Sequence, residues 1–155
     1  MSLRIRTATE NDAELIADQR RSMFLDMGTH SEVVLDTMTL AFIPWVRQKL
    51  EIGEYLGWFV VEDDGSVSAG AGLWLMEWLP HMIGSGTTRG NIVNVYTRPD
   101  RRRQGLALQL METILAWCRE NGISVVILHA SDEGVFLYKK MGFQPTNEMR
   151  QVLGG

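Results

Sequence analysis

The sequence predicts a domain of the α/β or α+β class, in which helices cover the faces of a mixed β-sheet. Two observations support this class. Apolar, β-branched runs bounded by turn residues alternate with segments whose apolar residues recur at helical spacing. Along the chain these segments follow one another as strand, helix, helix, three strands, helix, strand, helix and strand. This order is typical of a sheet with helices packed on it.

The first part of the chain supplies one strand and two helices. Residues 4–7 form the first predicted strand, and Thr9-Glu10-Asn11-Asp12 resembles a capping box that begins the first helix. The second helix spans about 33–50, and we expect Pro44 to bend or split it.

A hairpin and a further strand occupy the middle of the chain. The β-rich run 56–62 and the returning strand 67–79 are joined by the turn signal Asp63-Asp64-Gly65-Ser66. A loop at 80–90, rich in glycine, leads into the next predicted strand at 91–97.

The last third of the chain supplies two helices and two strands. A helix over 108–121 ends at the left-handed cap signature Asn121-Gly122. It is followed by a β-branched strand at 124–129, a short helix at 132–141 and a final strand at 143–152.

Length and composition limit the classes of protein to consider. The 155 residues suit one compact domain over 1–155, and the 45% hydrophobic and 22% charged contents are ordinary for a soluble globular protein. The net charge of −4 disfavours a nucleic-acid binder, and no apolar run approaches the ~20 residues that cross a membrane. The N-terminus lacks the apolar region of a signal peptide, and the single Cys118 suits a reducing compartment. We therefore expect a cytoplasmic protein.

The most informative segment is the turn at 101–107, which contains three arginines and a glycine. It connects the apolar run 92–97 to a predicted helix. The free N–H groups and the positive dipole end at such a turn attract an anion, and Gly105 and Ala107 let a ligand approach the backbone closely. No P-loop and no complete dinucleotide fingerprint are present. The basic cluster therefore suits a small polyphosphate.

Three motifs resemble those of the GNAT superfamily of N-acetyltransferases. Arg102-x-x-Gly105-x-Ala107 resembles the family's acetyl-CoA motif, Q/R-x-x-G-x-G/A. The segment Asn94-Val95-Tyr96-Thr97-x-Pro99-Asp100 precedes it, as in many members, and Leu137-Tyr138-x-x-Met141-Gly142-Phe143 resembles the LYxxxGF signature. His129-Ala130-Ser131 and Thr146-Asn147-Glu148-Met149 resemble one bacterial subgroup of unassigned specificity.

The resemblance implies a fold and a coenzyme. The fold is a mixed, mostly antiparallel sheet of six to seven strands flanked by about four helices. Its central parallel strands, the fourth and fifth, splay apart and admit the pantetheine arm of acetyl-CoA. Backbone groups around Val95 and Thr97 would bind the pantetheine amides, and the turn after them would bind the pyrophosphate. The coenzyme-binding residues implied are Val95, Tyr96, Thr97, Arg102, Arg103, Gln104, Gly105, Leu106, Ala107, Leu108 and Ser131.

Tyr138 is the implied catalytic acid. Acetyl transfer from a thioester to an amine requires a neutral amine, a donor for the oxyanion and a proton for the thiolate. By resemblance, Tyr138 protonates or hydrogen-bonds the coenzyme sulfur, and a phenol with a pKa of about 10 is a neutral donor at pH 7. The alternative is a tyrosine that packs on a helix face, but the surrounding motif favours catalysis.

The sequence offers two candidates for the general base, Glu77 and His129. Glu77 lies among apolar residues and is either a partly buried base with a raised pKa or a sheet-end carboxylate in water. His129 ends a strand beside the proposed gap and either acts through a water or is a structural histidine. Ser131 stands where many members have an asparagine that contacts the coenzyme, and it either makes that contact or caps the next helix.

The acceptor is expected to be a small-molecule or peptide amine, bound between the first half of the chain and the loop at 80–90. Asp26, Glu32 and Glu77 could attract its cationic form. His30 and His81 lack metal-ligand spacing partners, so no metal is expected. The apolar final strand could pair across a homodimer. The competing functions are acyl transfer from a longer acyl-CoA, transfer to a hydroxyl, and a non-catalytic acyl-CoA-binding or regulatory module.

Overall fold

The computed structural model describes residues 3–28 and 31–154 of the protein. In these ranges the chain forms five strands, four α-helices and two short 3-10 turns at Glu10–Asp12 and Pro99–Arg101. The strands and α-helices, in order, are β1 (Leu3–Thr7), α1 (Ala13–Met27), α2 (Glu32–Glu51), β2 (Tyr55–Glu62), β3 (Val67–Glu77), β4 (Thr88–Thr97), α3 (Leu106–Glu120), β5 (Val126–Leu128) and α4 (Val135–Lys140).

The strands form one sheet in the order β1-β2-β3-β4-β5. Neighbours from β1 to β4 pair antiparallel, and β4 pairs with β5 in parallel. The predicted mixed, mostly antiparallel sheet with four helices is therefore confirmed. The predicted count of six to seven strands is wrong, because the described part of the chain contains five.

The predicted final strand at 143–152 accounts for the difference. Residues 144–154 form no strand, and every one of them is exposed. A strand forms only where a neighbour takes up its backbone groups, and Pro145 removes one N–H from this segment. Because no sixth strand covers it, β5 is the edge strand. The parallel pair that we predicted at the centre of the sheet therefore lies at its edge.

Helices cover both faces of the sheet. Trp58 and Val60 of β2 face α3, whereas Phe59 and Val61, which alternate with them, face α1 and α2. The buried residues of α3 are Leu106, Leu110, Met111, Ile114 and Cys118. Burial raises the pKa of Cys118 to about 11, so its thiol stays protonated and packs as a core group.

The chain before the sheet folds largely as predicted. The Thr9 hydroxyl accepts a hydrogen bond from the Asn11 N–H at 3.3 Å, and the Asp12 carboxylate accepts one from the Thr9 N–H at 2.8 Å. The capping box is thus confirmed. In contrast, α2 is not split, since it continues through Pro44. Val46, two residues after Pro44, is fully buried, and this packing stabilises the helix around the proline, which lacks an N–H to donate.

A β-bulge bends β4 in the second half of the strand. Its register with β3 shifts so that Asn94 and Val95 lie opposite the single residue Ala71. Asn94 adopts a left-handed backbone conformation with φ 57°. Asparagine tolerates this conformation better than most other residues. The bulge lies beyond the residues of β4 that pair with β5, and it directs the Asn94 side chain toward α1.

Candidate coenzyme and acyl-transfer site

The strands β4 and β5 separate after three paired residues. The last pair is Ile92 and Leu128, where β5 ends, whereas β4 continues to Thr97. On the side of β5, residues 93–97 therefore have no strand partner in the described chain. Apart from the Thr97 carbonyl, which accepts a hydrogen bond from Arg102, their N–H and C=O groups on this side can hydrogen-bond a ligand in the gap. The predicted residues on this segment are Val95, Tyr96 and Thr97.

The turn between β4 and α3 presents backbone N–H groups. Arg103 and Gly105 both have left-handed backbones, with φ 64° and 77°, and Gly105 immediately precedes α3. The first N–H groups of α3, from Leu106 to Leu108, have no carbonyl partner within the helix. A Cβ on Gly105 would meet no atom within 4 Å, so the space beside it is open. This geometry suits a pyrophosphate.

Two arginines beside this turn bind a buried carboxylate. Glu62 at the end of β2 is 5% exposed, and its carboxylate oxygens lie 3.0 Å from Arg98 Nη2 and 2.8 Å from Arg101 Nη2. The hydrogen bond from Arg101 is the main cause that lowers the pKa of Glu62. These contacts attach the turn to β2. Two arginines of the predicted basic cluster, Arg98 and Arg101, therefore stabilise the fold through Glu62.

The motif arginine, Arg102, also binds within the protein. Its Nη2 lies 2.6 Å from Asp26 Oδ2 near the end of α1, and its Nε donates to the Thr97 carbonyl at 3.0 Å. The Asp26 carboxylate raises the pKa of Arg102. Arg102 therefore shapes the turn. The neighbouring Arg103 and Gln104 are exposed, and Arg103 forms no ion pair within the described ranges.

Tyr138 lies on α4, close to the end of β5. Its ring is half-buried and packs edge-on against Phe143, with centroids 6.0 Å apart. Burial raises the pKa of Tyr138, so the phenol stays protonated. No group in the described chain hydrogen-bonds its hydroxyl. A Cβ on Gly134 would lie 2.9 Å from the Tyr138 ring, so this glycine makes room for the ring.

Ser131 occupies the turn before α4. Its Oγ accepts a hydrogen bond from the Gly134 N–H at 3.1 Å, which is the helix-starting role that we considered as one alternative. A contact between Ser131 and the coenzyme stays a prediction.

The two candidate bases lie in different places. Glu77 is exposed at the end of β3, opposite Thr88, so it is a sheet-end carboxylate. Thr88 precedes Asn94 by six residues of β4, which corresponds to about 20 Å along a strand. His129 directly follows β5 at the opening of the gap, and its Nε2 lies 3.3 Å from Glu148 Oε1. Both side chains of that pair are exposed.

A buried polar cluster beside the bulge was not predicted. Asn94 is 4% exposed; its Oδ1 accepts a hydrogen bond from Arg20 Nη1 at 2.8 Å, and its Nδ2 donates to Tyr55 Oη at 3.0 Å. Burial raises the pKa of Tyr55 to about 12. Any Cβ on Gly72 would collide with the Tyr55 hydroxyl. In the sequence, the small residues of Ala69-Gly70-Ala71-Gly72 indicate that other side chains pack closely against β3. They do not indicate which side chains these are.

Comparison with known proteins identifies the family. Residues 18–143 match the model of the acetyltransferase (GNAT) family. The structure resembles a GCN5-related N-acetyltransferase from Ralstonia eutropha at a TM-score of 0.93, with 35% sequence identity over 99% of this chain and 100% of the other. The chain therefore belongs to the GNAT acetyltransferase family, whose general activity is acyl transfer from acetyl-CoA. No curated protein matches the sequence at a significant level.

Two further structures of similar fold contain acetyl-CoA or CoA. A predicted acetyltransferase from Clostridium acetobutylicum, solved with acetyl-CoA, is 25% identical over 98% of this chain and 96% of the other, with a TM-score of 0.87. An aminoglycoside N-acetyltransferase in complex with CoA is 14% identical over 99% of this chain and 95% of the other, with a TM-score of 0.72. At that identity it shows the shared fold alone.

Among the described residues, no helix has the length and apolar character to span a membrane. They also contain no cluster of three or more His, Cys, Asp or Glu side chains that could hold a metal ion. His30 lies outside the described residues.

Proposed function

We propose that this protein transfers the acetyl group of acetyl-CoA to a primary amine by direct attack in a ternary complex. One observation carries the proposal: the unpaired edge of β4 at 93–97 leads directly into a turn with left-handed Arg103 and Gly105 at the start of α3. A strand edge suits the amides of pantetheine, and a helix start suits a pyrophosphate. The strand edge and the turn are adjacent along the chain, just as the pantetheine arm and the pyrophosphate are adjacent in acetyl-CoA.

The coenzyme is held mainly by backbone groups in this proposal. The N–H groups from Arg103 to Leu108 surround the pyrophosphate, and the exposed side chains of Arg103 and Gln104 can contact it. Arg102 supports the turn through Asp26 and Thr97. The pantetheine arm follows the open edge of β4 and places the thioester near the bulge at Asn94 and Val95.

The reaction begins when the neutral amine attacks the thioester carbonyl carbon. The carbonyl oxygen becomes an oxyanion, which accepts hydrogen bonds from free N–H groups of β4. The C–S bond then breaks, and the amine nitrogen loses a proton to water. A thiol has a pKa of about 8.5, which lies below that of the Tyr138 phenol. Tyr138 therefore stabilises the departing thiolate by donating a hydrogen bond, and the thiolate takes its proton from solvent.

His129 is the better placed of the two candidate bases. It lies at the opening between β4 and β5, whereas Glu77 lies at the far end of β3. Acting through a water, His129 would receive the proton that the amine loses. The nearby Glu148 carboxylate would stabilise the imidazolium that forms.

Release of free thiol from acetyl-CoA, measured with a panel of primary amines, tests the proposal. We expect thiol release that requires both protein and amine, together with an acetylated amine detected by mass spectrometry. Tight acetyl-CoA binding without turnover of any amine would instead favour the non-catalytic binding or regulatory module. Faster turnover with a longer acyl-CoA would identify a different donor, and product formation on alcohols would identify a hydroxyl acceptor.

A further inference from the structure

Arg20 on α1 is a partly buried cation without an anionic partner. Its Nη1 donates to Asn94 Oδ1 at 2.8 Å, and its buried Nε has no hydrogen-bond partner in the described chain. No carboxylate forms an ion pair with it among the described residues. Desolvation lowers the pKa of Arg20, but a guanidinium remains charged at physiological pH. The positive charge is therefore present and uncompensated.

Two other arginines in the first part of the chain have carboxylate partners, whereas Arg20 has none among the described residues. Arg6 binds Asp12, and Arg21, the neighbour of Arg20 on α1, binds Asp36. The protein has a net charge of −4, so carboxylates are available. Removing a charge from water without pairing it is unfavourable. The fold therefore gives no electrostatic reason for an unpaired arginine at this position.

Two aromatic rings hold the Arg20 guanidinium in place. Its Cζ lies 4.9 Å from the ring centroid of Phe24 and 5.1 Å from that of Phe42, at distances typical of cation–π contacts. One of its five N–H groups binds Asn94, and the side chain remains partly accessible. A fixed planar guanidinium with free N–H groups matches the geometry of a carboxylate or a phosphate.

The position of Arg20 connects it to the proposed reaction. Asn94, which Arg20 contacts, forms the bulge of β4 where we place the thioester. Because α3 packs on the opposite face, an acceptor that reaches the bulge from the face of α1 and α2 passes the Arg20 guanidinium. The charge nearest the bulge is thus positive, whereas Asp26 is already bound to Arg102.

We infer that Arg20 binds an anionic group of the acceptor, so the substrate is an amine that also carries a carboxylate or a phosphate. The inference rests on the proposed acetyl transfer to an amine. It replaces the expectation that acidic groups of this site attract a purely cationic acceptor.

Matched acceptor pairs test the inference on the unmodified protein. Each amino acid is compared with its decarboxylated amine, for example lysine with cadaverine, and an amino sugar is compared with its phosphate ester. Thiol release is measured at saturating acetyl-CoA. We expect kcat/KM to be roughly 10- to 100-fold higher for the anionic member of at least one pair, as for hydrogen bonds to charged groups. The first set of pairs reports on a carboxylate, and the second on a phosphate.

Two variants separate recognition from a structural role. Arg20→Gln should raise KM for the acceptor that carries the carboxylate or phosphate roughly 10- to 100-fold. KM for the partner that lacks this group and KM for acetyl-CoA should stay unchanged, and Arg20→Lys should restore part of the loss. Arg21→Gln is the matched control and should change neither. Equal losses for both members of a pair, or a preference of the unmodified protein for the members without a carboxylate or phosphate, would overturn the inference.

A binding experiment distinguishes failure of the proposed acetyl transfer from failure of the proposed anion site. If no amine is turned over, the same pairs are titrated into the complex of protein and CoA by calorimetry. Preferential binding of the anionic member would support the anion site while acetyl transfer fails. Binding without such a preference, or no binding of either member, would overturn it.

Discussion

Arg102 and Asp26 form an ion pair, with Nη2 and Oδ2 2.6 Å apart, that joins the arginine of the acetyl-CoA motif to the end of α1. The same guanidinium binds the Thr97 carbonyl at the end of β4. The pair therefore links three elements around the turn that we propose for the pyrophosphate. In the proposed complex its effect on the coenzyme is indirect, because the backbone of the turn would provide the binding groups.

Asp26→Asn should accordingly weaken coenzyme binding only slightly. Both side chains are about two-fifths exposed, and such pairs contribute about 0.2–1 kcal/mol. We expect a rise of less than about fivefold in the Kd of acetyl-CoA by calorimetry. Asp36→Asn, which removes the carboxylate bound to Arg21, is the control. A loss of 100-fold or more would mean that Asp26 itself contacts the coenzyme.

Gly105→Val should abolish most coenzyme binding. The left-handed backbone of Gly105 strains a β-branched residue, and the added side chain projects into the open space beside the helix start. We expect the Kd of acetyl-CoA to rise by at least about tenfold, together with a loss of about 1–2 kcal/mol in the free energy of unfolding.

Gly122→Val separates strain from ligand exclusion. Gly122 has φ 74° and equally open surroundings, but it follows α3 instead of preceding it. The control variant should lose similar stability and keep its affinity. Unchanged affinity in Gly105→Val would refute the pyrophosphate site.

Tyr138→Phe should lower kcat without changing coenzyme affinity. The phenylalanine ring keeps the packing against Phe143, and only the hydrogen bond to the thiolate is lost. We expect kcat to fall roughly 10- to 100-fold, as for a hydrogen bond to a charged group. Stopped-flow release of thiol gives kcat, and calorimetry gives the Kd. If kcat is the same in the variant, Tyr138 is not the group that stabilises the thiolate.

His129→Asn and Glu77→Gln should have unequal effects on turnover. His129 lies at the opening between β4 and β5, whereas Glu77 is exposed at the far end of β3. We expect His129→Asn to lower kcat at pH 7 by roughly tenfold or more, while Glu77→Gln stays within about twofold of the unmodified enzyme. The reverse order would reassign the base to Glu77.

Alkaline pH should destabilise the fold. Burial raises the pKa of Cys118 from 9.0 to about 11 and that of Tyr55 from 10.0 to about 12. Between these values the folded protein binds more protons than the unfolded chain, so stability is complete below pH 9 and decreases as pH rises toward 12. We expect a loss on the order of 2 kcal/mol at pH 10.5 in urea unfolding.

A double variant identifies the groups responsible. Cys118→Ala with Tyr55→Phe removes both titrating groups, so the decrease between pH 9 and pH 10.5 should be smaller than in the unmodified protein. An equal decrease in both proteins would assign the pH dependence to other groups.

Local patterns predicted most of the fold because they depend on residues close in sequence. The capping box at Thr9, the helical stripe of α3 and the left-handed Gly122 all have this property, and all are present. The final strand was wrong because its pairing depends on a neighbour that local alternation cannot reveal. One compact domain over 1–155 and a cytoplasmic location stay predictions.

The sequence motif predicted where the candidate site lies along the chain. It did not predict which partners the arginine side chains of the site bind. The motif located the turn correctly between β4 and α3. It did not show that Arg101 binds Glu62 or that Arg102 binds Asp26, since these partners lie 39 and 76 residues away. The contact between Arg20 and Asn94 was invisible for the same reason, with 74 residues between the two.

The short pairing between β4 and β5 gives the coenzyme a role in the stability of the fold. In the proposed complex, the pantetheine amides occupy the edge at 93–97 that β5 leaves open, so the ligand completes the sheet. A ligand that binds only the folded state stabilises it by about 2.7 kcal/mol at a concentration 100 times its Kd. In that case, a higher concentration of acetyl-CoA would raise the fraction of folded protein as well as the rate of its reaction.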